Sequence, residues 1–226
     1  MNGIPAPAPA PRVWPMYRAL VGVGLLCGLL IVSVFEFTRP VIQRNQAEAL
    51  ERAILQVLPE AVSSRTFRLV DQARFEALDG KPGGAPLAHA GYDADRRLVG
   101  LALEAQGMGY QDVIRLIYGY SFSERAVIGI RVLESRETPG LGDRIETDPG
   151  FLENFERLDV SLADDLTRIL HPVEAVKHGA KQHPWQVDGI TGATISSVAI
   201  ADILRRSTEE WIPRIHRSLD DFRVAE

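Results

Sequence analysis

A chain of 226 residues and 24.9 kDa is long enough for one domain with appendages. Hydrophobic residues at 46% and charged residues at 24% exclude wholesale disorder. A net charge of −5 without a basic cluster argues against a nucleic-acid partner, and the single cysteine, Cys27, excludes an intrachain disulfide, a four-thiolate iron–sulfur cluster and a cysteine-based zinc site.

In chain order, residues 1–15 are Pro/Ala-rich and read as a flexible tail. Ala19 to Phe35 then runs 17 residues without a charge. As a helix this stretch is about 26 Å long, and Trp14, Met16 and Tyr17 on one side and Phe37 on the other extend it toward a hydrocarbon core of ~30 Å. No small-x-small cleavage site follows, so residues 16–38 are expected to form an uncleaved helix in a lipid bilayer. Arg12, Arg18 and the amino terminus precede the span without an acid, whereas the charges after it balance. The positive-inside rule then places the tail in the cytoplasm and the bulk of the chain on the periplasmic side of an inner membrane. Gly24-x-x-x-Gly28, with Gly22 nearby, is a spacing that lets a second membrane helix approach closely, although glycine is also common in spans.

Val41 to Leu58 carries an apolar stripe and ends at Pro59, which predicts a helical stalk over residues 39–59. Asp79 to Pro86 is a turn-rich loop. Leu98–Leu103 reads as a strand. Asp112–Tyr118 and Ala126–Leu133 read as an antiparallel pair. A short helix is expected at Pro149–Leu158, a strand at Val173–Lys177 and an amphipathic helix at Ile195–Arg206. Strands and helices mix without a βαβ rhythm. The expected class is therefore α+β, with an antiparallel sheet and flanking helices in a domain of residues 60–206 and a C-terminal extension over residues 207–226.

The five histidines show no metal-ligand spacing, and neither a Gly-x-Ser-x-Gly elbow nor a Walker sequence occurs. Gly107-Met-Gly109 and Gly140-Leu-Gly142 do not complete a dinucleotide fingerprint. Two segments carry more. Glu137-Thr-Pro-Gly-Leu-Gly-Asp143 follows an apolar strand. It is either a plain turn or a loop that brings Thr138, Leu141 and backbone amides against a flat ligand, with Gly140 helping to form the turn. Asp188-Gly-Ile-Thr-Gly-Ala-Thr194-Ile-Ser-Ser197 runs into the predicted helix. Its glycines and hydroxyls suit a phosphate seated at a helix N-terminus, and Thr191 or Thr194 could equally serve only as the N-cap.

Asp188-x-x-Thr191-Gly192-Ala193-Thr194 resembles the covalent-flavin motif of FMN-binding domains. These occur in the flavin-bearing, membrane-anchored members of the Rnf electron-transport complex and of the sodium-translocating NADH:quinone reductase. Glu137 to Gly142 resembles the same family's second marker, on the flavin-ring side. The resemblance implies FMN joined by a phosphoester to Thr194, installed by a flavin transferase, in a membrane-anchored electron carrier. It also implies other membrane and redox subunits as partners, in a complex that couples ferredoxin and NAD to ion movement. Gly142-Asp-Arg-Ile-Glu146 is more similar to the Rnf members of the family than to those of the quinone reductase. Thr191 stands where serine is often found, and both carry a hydroxyl. The rivals from other classes are a non-redox membrane-anchored binding module and a non-covalent binder of a phosphate ligand.

Overall fold

The computed structural model describes residues 13–71, 74–78 and 86–223. Most of the Pro/Ala-rich tail (1–12) and of the turn-rich loop (79–85) lies outside the described residues. The chain divides into two units between Glu48 and Ala49. The first is the bulk of helix α1 (Trp14–Val57), which is long and apolar enough to cross a membrane. The expected span and stalk are one continuous helix, and Pro40 lies inside it. Pro59 stops it, because the residue before a proline is driven away from helical backbone angles.

The second unit is built on a seven-stranded antiparallel sheet in the order β2-β1-β3-β4-β5-β6-β7. Its strands are β1 (Ser63–Asp71), β2 (Arg74–Ala77), β3 (Leu87–Tyr92), β4 (Leu98–Met108), β5 (Val113–Ser121), β6 (Ala126–Glu134) and β7 (Leu158–Asp159). The predicted antiparallel pair is β5 with β6. The strand expected at Leu98–Leu103 continues to Met108, and β1 to β3 are strands the sequence reading did not propose.

Alternation along the central strands separates two apolar layers. Leu101 and Leu103 of β4 and Leu116, Tyr118 and Tyr120 of β5 belong to the main core, while Ala102 and Ile117 belong to a second cluster with Ala53, Ile54, Val57 and Leu58. Successive side chains point to opposite faces of a sheet, so the end of α1 covers one face and the main core lies on the other. Gly119 makes that close approach possible: a Cβ there would come within 2.0 Å of the Val57 carbonyl oxygen.

The main core is closed by helix α3 (Thr194–Arg217). The expected helix ended at Arg206, but its apolar face continues through Trp211, Ile212 and Ile215, all in the core together with Phe222. The residues after Arg206 are therefore an integral part of the domain's packing. Tyr118 Oη lies 2.9 Å from Ser207 Oγ, and Tyr120 Oη lies 2.6 Å from His216 Nε2, so two tyrosines of one strand hold the helix along its length. Burial pushes His216 below the usual imidazole value.

The helix expected over Pro149–Leu158 is shorter. Helix α2 spans Pro149–Leu152, with Asp148 as cap and Pro149 at its first position, and a 3-10 turn follows at Glu153–Phe155. Asn154 diverts the chain there, because its amide donates to the Phe151 carbonyl at 3.0 Å. A small parallel pair, β8 (Glu174–Val176) and β9 (Gln186–Asp188), leads into α3.

Candidate functional site

The two sequence segments meet at the start of α3. A cavity of about 370 Å3 is lined by Thr138, Leu141 and Gly142 from one segment and by Gly192, Ala193, Thr194, Ile195 and Ser196 from the other, with Tyr110 completing it. A Cβ on Gly192 would lie 4.0 Å from Leu141 Cδ2, a measure of how closely the loops approach. Gly192 has φ +88°, a left-handed conformation that glycine adopts without steric cost and that turns the chain into the helix.

The helix start has the features of an anion seat. Ala193 is the cap residue and supplies no side-chain hydrogen bond. The N–H groups of Thr194, Ile195 and Ser196 precede the first intrahelical bond, Ser197 N–H to the Ala193 carbonyl at 2.9 Å, and so lack partners within the helix. With the helix dipole, these amides favour a negative group at the mouth.

Four hydroxyls lie in this segment, and their surroundings differ. Ser197 is fully buried; its Oγ donates to the Ala193 carbonyl at 2.9 Å and accepts from Ile190 N–H at 3.0 Å. Ser196 is buried and donates to Glu137. Thr191 is exposed but does not line the cavity, and its carbonyl accepts from Arg144 at 3.1 Å. Thr194 alone of the four is both exposed and on the cavity wall.

Behind the wall, Asp188 and Glu137 act as structural ties. Both carboxylate oxygens of Asp188 accept from Gly179 N–H, at 2.8 and 3.0 Å. The buried Asn154 accepts from Asp188 N–H and from the Lys181 ammonium, each at 3.0 Å, and donates to the Asp188 carbonyl at 3.1 Å. Burial moves Lys181 below the ordinary lysine value, opposed by the nearby Asp188 charge. Glu137 accepts from Gln111 N–H at 3.0 Å and from the Ser196 hydroxyl. Thr138 Oγ1 donates to Gln111 Oε1 at 3.3 Å. Gly140, at φ +76°, makes the turn that presents Leu141. Arg144 spans from Thr191 to Asp148, and its hydrogen bond holds the Asp148 carboxyl below the usual range.

Of the residues singled out from sequence, Thr138, Leu141, Gly192, Ala193 and Thr194 line the cavity; Glu137, Gly140, Asp188 and Thr191 do not. Tyr110, Gly142, Ile195 and Ser196 were not singled out as site residues. Gly107-Met-Gly109 held a trace of Tyr110: these glycines precede the β4–β5 turn, where a Cβ on Gly109 would sit 2.5 Å from Glu137 Oε1. Among the described residues no group of His, Cys, Asp and Glu side chains could hold a metal ion.

The residues present fit a flavin mononucleotide. The volume lies within the ~300–1,000 Å3 range of small-molecule sites, the amides at one end suit a phosphate, and Tyr110, Leu141 and Ile195 offer apolar surface to a ring.

Residues 109–209 match the FMN-binding domain family. RnfG of the ion-translocating oxidoreductase complex of Methanosarcina acetivorans is 30% identical over 190 residues, covering 84% of this chain and 89% of that protein. The RnfG of Shewanella piezotolerans is 27% identical, covering 81% and 82% respectively. Two solved structures share the fold. NqrC of Shewanella oneidensis has a TM-score of 0.55 at 16% identity, over 79% of this chain and 96% of that one. Its counterpart in the Na(+)-translocating NADH-quinone reductase of Parabacteroides distasonis has 0.58 at 17%, over 81% and 96%.

Proposed function

Because this chain belongs to the RnfG family of ion-translocating oxidoreductase complexes, we propose that it is the membrane-anchored electron carrier of such a complex, with one FMN joined covalently to Thr194. The observation that carries the attachment is that Thr194 is exposed on the cavity wall, whereas Ser196 on that wall and Ser197 behind it are buried and engaged. Attachment exchanges the hydroxyl proton for the phosphorus of an activated flavin nucleotide. The rest of that nucleotide departs as the leaving group, and a flavin transferase catalyses the exchange.

When bound, the flavin supplies one- and two-electron redox chemistry, and the protein supplies position and electrostatics. The amides at the start of α3 hold the phosphate charge, and Gly192 keeps the backbone clear of it. Thr138 and Leu141 also line the cavity. In this reading the cytoplasmic tail and the exported domain flank α1, the neighbouring membrane and redox subunits are the partners, and the complex couples ferredoxin and NAD to ion movement.

A denaturing gel of the chain coexpressed with a flavin transferase, viewed under ultraviolet light, tests the attachment. A fluorescent band at the chain's mass, mapped to the peptide holding Thr194, is expected. An unmodified chain overturns the attachment, and an adduct on Thr191, Ser196 or Ser197 overturns the choice of residue. A reporter active only outside the cytoplasm, fused after Glu226, is expected to be active; activity of a cytoplasm-dependent reporter instead reverses the topology.

A further inference from the structure

Glu137 is a buried carboxylate, 5% exposed, and its hydrogen-bond partners among the described residues, Gln111 and Ser196, are both uncharged. Both of its oxygens accept hydrogen bonds, Oε1 from Gln111 N–H and Oε2 from the Ser196 hydroxyl. Oε1 faces a backbone N–H and can only accept there. Its side chain lies against the cavity wall: a Cβ on Gly142 would come 2.8 Å from Oε2, and both Gly142 and Ser196 line the cavity. The charged groups nearest in sequence do not cancel it. Arg136 pairs with Asp112 at 3.3 Å on an exposed surface. On the other side of the loop, Asp143 adds a second acid, whose Oδ1 is buried without a hydrogen-bond partner.

We infer that Glu137 sets the redox potential of the bound flavin, by holding, one residue layer behind the cavity, a carboxylate whose hydrogen-bond partners among the described residues are uncharged. This rests on the reading that the flavin ring occupies the cavity. Adding an electron to a group beside a fixed negative charge is disfavoured, and the effect is stronger where protein excludes water. The carboxylate therefore lowers the potential at which the flavin accepts electrons. Its two hydrogen bonds keep the charge in place by joining the β4–β5 turn to the helix that holds the phosphate.

The test is a potentiometric titration of the full chain, flavin-loaded and in detergent, as wild type, Glu137→Gln and Glu137→Asp. Fluorescence on a denaturing gel establishes loading first. Glu137→Gln is expected to shift the midpoint potential to more positive values, and Glu137→Asp, which keeps the charge, to restore most of the wild-type value. A purely structural role predicts the reverse order, with the isosteric Glu137→Gln the milder of the two substitutions. If the wild-type chain carries no flavin, the proposed function fails and this inference falls with it. If the chain is loaded and Glu137→Gln has the wild-type potential, this inference alone is overturned. Should Glu137→Gln not fold, redox-difference infrared spectra of the wild type with isotope-labelled glutamate decide. A glutamate carboxylate band displaced on reduction is expected, and its absence overturns the inference.

Discussion

Ten consecutive residues, Asp188 to Ser197, contain two regions with opposite uses of their polar groups. On the inner side, the Asp188 carboxylate and backbone, Ile190 N–H and Ser197 Oγ are all bonded to other parts of the protein. On the outer side, Thr194 is exposed on the cavity and the first amides of α3 have no partners within the helix. The lesson is that a motif of one chemical character, rich in hydroxyls and glycines, divides by burial into a frame and a binding edge. Buried polar groups must be satisfied by the protein, and those at the edge are available to a ligand.

The largest expected effect lies at the edge. Thr194→Ala should abolish covalent flavin while changing the stability of the chain by less than about 0.5 kcal/mol, as an exposed substitution does. The fluorescent gel and a denaturation curve read the two properties on one sample. Thr194→Ser should keep part of the attachment, and Thr191→Ala should keep most of it. Loss of flavin from Thr191→Ala equal to that from Thr194→Ala would erase the distinction between these hydroxyls.

The frame should respond in the reverse sense. Asn154→Ala removes the acceptor of Asp188 N–H and Lys181 and the donor to two carbonyls, so it should cost about 3 kcal/mol in chemical denaturation and reduce flavin loading only as a consequence. Unchanged stability would mean that the frame is not held by this network. Ser197→Ala leaves Ile190 N–H buried without its partner and should cost about 1–2 kcal/mol.

The smallest effect concerns acid. The hydrogen bond from Arg144 depresses the Asp148 carboxyl, so its contribution is fully present above the unfolded value near ~3.9 and is lost as pH falls through the lower folded value. Asp148→Asn should therefore show a weaker decline in stability below about pH 4 than wild type, and the same stability difference at every pH above about 5. Parallel declines of the two proteins in acid would show that this pair does not support the turn.

Much of this was legible in local pattern. The charge-free run from Ala19 to Phe35, the alternation of β5 and β6 and the two glycine-bearing segments all declare themselves within a few residues, because helix period, strand period and left-handed backbone positions are local properties. The strands β1 to β3 were not legible. Their burial depends on partners distant in the chain, as in the pairing of β1 with β3 and the bond of Phe75 N–H to Asp221 at 2.8 Å. The extension of α3 was missed for the same reason, since Ser207 and His216 are anchored by tyrosines some ninety residues earlier, separations of 89 and 96.

The sequence by itself therefore determined the long apolar helix, the α+β class and the two segments that meet at the cavity. Tertiary structure alone decided which hydroxyl of the second segment is exposed on the cavity, because burial is set by what packs behind each side chain. It also decided that Glu137 and Ser196, 59 residues apart, share one bond, and that Tyr110 completes the wall. No local period records which distant turn will arrive beside a helix start; that follows from the closing of the sheet and from the face of α3 that it buries.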